Sequence, residues 1–98
     1  MYVGALELDL MFGDVHSLKE KRSLLRPLIA ELRRRFDVAA AEAGYVELHR
    51  RALIGVAAVA GEVGQVRNVL QACERLVAGR PEVDLLAARH RLLGPEDD

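Results

Sequence analysis

Polar and apolar residues alternate at the start of the chain. From Tyr2 to Phe12 the even positions carry Tyr2, Gly4, Leu6, Leu8, Leu10 and Phe12, and the odd ones Val3, Ala5, Glu7, Asp9 and Met11. A period of two with one greasy face predicts a half-buried strand. Gly13 and Asp14 turn the chain. The period then changes. Ser17, followed three residues later by Glu20, forms a capping box. Leu18, Leu25, Leu28, Ile29, Leu32 and Phe36 recur at helical spacing and predict a helix facing a core. Pro27 removes one backbone donor and is expected to kink this helix rather than end it, because the stripe continues beyond it.

Val38 to Ala43 is short and Ala-rich, a strand pattern that a helix can also use. Gly44 to Arg51 is polar and reads as a loop. Leu53 to Ala60, "LIGVAAVA", is apolar on both faces, as a central strand is. Gly61 and Glu62 open a second helix with Val63, Val66, Val69, Leu70, Cys73, Leu76 and Val77 as its stripe; Gly79 and Pro81 stop it. Val83 to His90 is the last strand. The order strand, helix, strand, strand, helix, strand repeats one half-unit. With right-handed crossovers it predicts a ferredoxin-like α+β fold: a four-stranded antiparallel sheet with both helices on one face. Residues 1–93 form this single domain, and 94–98, "GPEDD", are expected to be an acidic, flexible tail.

Composition narrows the possibilities. A chain of 98 residues holds one core, and a 51% hydrophobic share is enough to build it. No apolar run approaches the ~18 residues of a membrane span. The start, "MYVGALELD", has acids where a secretion signal has basic residues, so a cytoplasmic bacterial-type protein is expected. Cys73 stands alone on a helical apolar stripe and reads as a small buried hydrophobe. Charge is uneven. Positions 16 to 36 carry seven of the fourteen Lys and Arg residues against Glu20 and Glu31, a segment charge of +5 in a chain of net charge -1.

Four stretches carry a resemblance. "HSLKEKRSLL" at 16–25, "RRRFDVAAAE" at 33–42, "LHRRALIGVAAVA" at 48–60 and "RPEVDLL" at 80–86 resemble the YlxP-like family of small bacterial proteins of unknown function. The resemblance spans nearly the whole chain. It implies the ferredoxin-like fold and brings no catalytic residues with it. Genes of the family tend to lie beside those for translation initiation factor two and ribosome-binding factor A, which implies a role near RNA or the ribosome. One departure stands out: where many relatives read Asp-Leu-Trp-Gln-Arg-Ala, this chain has "ELHRRA", with His49 in place of the Trp.

The basic helix is the strongest functional candidate. On a helical wheel Lys19, Arg22, Arg26 and Arg33 fall within about 60° of one another, beside the apolar stripe, with Arg34 at the edge of the group. Lys21 points closer to the apolar side. Such a stripe suits a phosphate backbone or is a solvated helix face. Lys19, Lys21 and Arg22 also sit in the first turn, where cations oppose the helix dipole at ~0.3–1 kcal/mol each. An anion bound there, or an internal acid such as Asp14 or Glu47, would explain them. The expected phosphate contacts are therefore Lys19, Lys21, Arg22, Arg26, Arg33 and Arg34, with Arg50 and Arg51 from the loop. The uncovered sheet face lacks the aromatic residues that stack RNA bases. Its small residues suggest a second reading, a homodimer or partner face at Ala5, Glu7, Asp9, Gly55 and Ala57, with the basic helix binding an acidic protein partner.

Catalysis finds little in the sequence. His16, His49 and His90 lie in unlike elements, and His16 reads as a hydrogen-bonder at the helix start. Glu7 and Asp9 share a strand face about 7 Å apart. That spacing fits paired acids or a divalent ion, or plain solvent-facing acids bridged to Arg89. No phosphate-binding glycine loop is present. No catalytic group, cofactor, metal, small-molecule substrate or membrane contact is expected.

Overall fold

A computed structural model describes residues 1–96. Six elements follow in the expected order: β1 (Tyr2–Phe12), α1 (Leu18–Arg35), β2 (Ala39–Gly44), β3 (Arg51–Ala60), α2 (Val63–Ala78) and β4 (Val83–Leu93). The sheet order is β2-β3-β1-β4, all neighbours antiparallel, with both helices on one face: the ferredoxin-like α+β fold. The expected flexible tail falls partly on Asp97 and Asp98, which lie outside the described residues.

The alternation of β1 sorts its side chains. Leu6, Leu8, Leu10 and Phe12 are fully buried under the helices, while Ala5 and Glu7 are exposed on the other side. Ala52, Ile54, Val56 and Ala58 of β3 join them in the core. From above, α1 contributes Leu25, Leu28, Ile29 and Leu32, and α2 contributes Val66, Leu70, Cys73 and Val77. Burial of the lone thiol raises its pKa to about 11, so it stays protonated and packs as a hydrophobe.

Strand ends differ from the sequence reading where pairing decides them. Arg51 opposes Met11, so β3 begins two residues before Leu53. Leu93 opposes Val3, which extends β4 beyond His90. A bulge in the β1–β4 pairing places an extra residue, Leu86, between Leu85 and Ala87, opposite Leu10 and Asp9. At the start of α1, Ser17 accepts from Glu20 N at 3.1 Å. Glu20 Oε2 answers at the His16 amide, 3.4 Å, one residue before the usual partner in a capping box. His16 Nε2 lies 2.7 Å from Asp14 Oδ1, the structural role expected of it. The helix runs unbroken through Pro27.

At Gly4 sheet and helix pack closely. A Cβ there would overlap the side chains of Val66 and Leu70, the latter at 2.6 Å. Gly4→Ala is therefore expected to cost ~1–3 kcal/mol through overpacking, read as a lower urea midpoint at unchanged slope.

Candidate nucleic-acid interface

The eight cations expected at phosphate separate into three groups. Lys19, Arg22, Arg26 and Arg34 are exposed, with no side-chain partner among the described residues. Arg22 and Arg26 border two adjoining hollows. One, beside Lys19, Ser23 and Pro27, opens outward. The other is a groove between α1 and β2, closed by Leu25, Ile29, Arg33, Ala41 and Glu42.

Arg33 and Arg50 are exposed but tethered. Arg33 Nε donates to the Ala40 carbonyl, 2.8 Å, on the edge strand β2. Arg50 Nε donates to the Phe12 carbonyl, 3.2 Å. Each keeps its remaining guanidinium N–H groups for a ligand.

The third group corrects the sequence reading. Lys21 is fully buried and does not face a ligand. Its ammonium donates to the carbonyls of Tyr45 (2.9 Å), Val46 (3.3 Å) and Arg51 (3.1 Å). Those bonds engage all three ammonium protons. Glu42 Oε2, 3.2 Å away, therefore receives charge without an aligned hydrogen bond. The internal acid is Glu42, neither Asp14 nor Glu47. Lys21 thus pins the β2–β3 connection, where Tyr45 holds a left-handed backbone at φ 55.

Arg51 is likewise engaged. Its Nη2 reaches both oxygens of Asp9, at 2.8 and 2.9 Å, and the Tyr45 ring covers its guanidinium at 4.6 Å. The hydrogen bond donated to Asp9 outweighs desolvation and raises the Arg51 pKa, so the group stays charged. Asp9 itself is buried by this contact and is not an open docking residue, a second correction. The rest of that face is as the alternation predicts. Ala5, Glu7 and Ala57 are exposed, Gly55 is half-buried, and Glu7 meets Arg89 at 3.5 Å. Ala5, Gly55 and Ala57, with the alanines of β2, floor a shallow hollow of about 500 Å³.

The far end of α1 holds a different network. Glu31 Oε2 accepts from Arg35 Nη1 at 3.3 Å and from Arg80 Nη2, tying α1 to the segment after α2. Desolvation pushes the Glu31 carboxyl up, but the hydrogen bonds and charges of Arg35 and Arg80 outweigh it and hold it below its ordinary 4.5. A depressed folded-state pKa contributes stability above the unfolded value and loses it as pH falls through the folded one. Stability is therefore expected to decline below about pH 4.5, and Glu31→Gln to flatten part of that slope in acid titrations followed by circular dichroism.

Among the described residues no three His, Cys, Asp or Glu side chains converge to hold a metal ion. Among them, too, no helix is long and apolar enough to cross a membrane.

Fold and surface together define a small α+β protein with a split sheet, one basic helix flank and an open sheet face. Comparison with known proteins places the chain in a family. The family described as "Protein of unknown function (DUF503)" matches residues 3–90, and the chain belongs to it. It is also 30% identical over 87 residues to the "Uncharacterized protein YlxP" of Bacillus subtilis (strain 168), covering 89% of this chain and 95% of that one.

Proposed function

We propose that this is a non-enzymatic cytoplasmic protein that associates with RNA or the ribosome by holding phosphates on the flank of α1. Lys19, Arg22, Arg26 and Arg34 make the free contacts, and Arg33 and Arg50 extend the surface at its borders. One observation carries the reading. Arg22 and Arg26 are a like-charged i, i+4 pair, and no acid stands three or four residues from either. A solvated helix face ordinarily mixes signs at those spacings, whereas like pairs cost ~0.2–0.5 kcal/mol each. A polyanion lying along the helix removes that repulsion. Such binding is electrostatic and reads shape more than sequence.

Co-sedimentation with ribosomes tests this. With four to six phosphate contacts, affinity should fall about 10²–10³-fold between 50 and 200 mM salt. Absence of binding at either salt would sink the proposal. It would favour the second reading, self-association through the open face, which the exposed Ala5 and Ala57 and the half-buried Gly55 support by admitting close approach of another sheet.

A further inference from the structure

A second concave surface lies on the other side of α1, roughly 140–180° around the helix from Arg22 and Arg26. It is set between the last turn of α1 and the second half of α2. Its walls are Arg35, Phe36, Arg75, Leu76, Arg80 and Pro81, and it is an open hollow of about 540 Å³. That volume falls within the range of small-molecule sites.

Three kinds of chemistry meet there. The first is positive charge. Three guanidiniums line the hollow, and Glu31 engages only two of them, Arg35 and Arg80. Arg75 has no side-chain partner among the described residues. Among the described residues it is the one cation of the hollow left whole for an anion. The second is a flat apolar wall. Phe36 is half-buried beside Pro81, and the Arg35 guanidinium lies 5.9 Å from its ring centroid. Aromatic rings and guanidinium planes are the surfaces on which nucleic-acid bases stack. The third is an acceptor. At the end of α2 the Arg80 amide turns back to Val77 O, 3.1 Å, instead of to Leu76 O. The Leu76 carbonyl is left outside the helical ladder, on a residue that lines the hollow.

We propose that this hollow binds a nucleotide, free or at the 5′ end of an RNA chain. Arg75 holds the phosphate, with Arg80 and Arg35 beside it. The base lies against Phe36 and Pro81, and the Leu76 carbonyl accepts from a base N–H or a ribose hydroxyl. Inorganic phosphate satisfies only the first of these contacts. An acidic side chain satisfies the charge and leaves the ring wall and the carbonyl unused. The site is independent of the α1 flank proposed to hold RNA, since the two share no residue.

The test is an amide-resolved NMR titration of the full chain with AMP, with inorganic phosphate and with a short 5′-phosphorylated oligoribonucleotide. AMP should shift the amides of Phe36, Arg75, Leu76 and Arg80 saturably, roughly 10-fold more tightly than phosphate. Arg75→Gln, an exposed change, should weaken AMP roughly 10-fold. Phe36→Leu keeps an apolar side chain and should weaken AMP but not phosphate. Arg22→Glu/Arg26→Glu should leave AMP binding as it was, which separates this site from the RNA-binding flank. Saturation by the oligonucleotide but not by AMP assigns the site to RNA ends. The inference fails if no ligand shifts those amides saturably, if phosphate binds as tightly as AMP, or if the flank variant abolishes AMP binding.

Discussion

Lys21→Met is expected to lower stability by roughly 3 kcal/mol or more. Methionine retains most of the apolar stem and removes only the charged end. The carbonyls of Tyr45, Val46 and Arg51 then lose their donor, and Glu42 loses its counter-charge. An acceptor left unsatisfied costs ~1–3 kcal/mol where buried, and these part-buried carbonyls lie toward the low end. The Glu42 side chain is 22% exposed and recovers part of its hydration, which holds the total near the lower end. At about 4–8 °C per kcal/mol for a domain of this size, the melting temperature should drop by roughly 12 °C or more. Adding Glu42→Leu should restore part of the loss, because removing both charges is milder than stranding one. A Lys21→Met protein that melts within about 2 °C of the parent would show that the ammonium is not what pins the connection after β2.

The second large effect concerns binding. Arg22→Glu/Arg26→Glu should reduce RNA or ribosome affinity about 10–100-fold near 0.1 M salt and lower the slope of log K against log salt by roughly 1.5–2. Both side chains are exposed and have no side-chain partner among the described residues, so the variant should melt with the parent. Slope and affinity must fall together. A folded variant that kept the parental slope would place the phosphates elsewhere on the protein, and one that bound as well as the parent would remove α1 from the interface.

Much of this architecture was legible because its hydrophobic periods are clean. The change of period at Ser17 gave the first helix its start, and the alternation of Tyr2 to Phe12 gave β1 its buried face. Lys21 was also half legible. Its place on the wheel lies between Leu25 and Leu28, inside the apolar stripe, which predicts burial. Counting it among the phosphate contacts set charge above position. Arg51 was less accessible to such reasoning. Whether it faces Asp9 depends on the register that sets Asp9 against Leu53 and Met11 against Arg51, and no periodicity within one strand fixes a register between two. The hollow at Phe36, Arg75 and Arg80 draws on residues some 40 positions apart in sequence, brought together only by the packing of the helices. By contrast, the free cations of α1 needed only the wheel.

The Arg33 tether has a consequence for life in a crowded solution. β2, "AAAEAG", is an edge strand of small residues without proline, the sort of border on which a neighbouring chain can zip itself. Arg33 borders both the groove on the helix side and the hollow on the open side, so it straddles that border while occupying the Ala40 carbonyl. An incoming strand meets a guanidinium where it needs a backbone acceptor. The helix that gathers the positive charge thereby also guards this one border of the sheet, at β2, against an added strand.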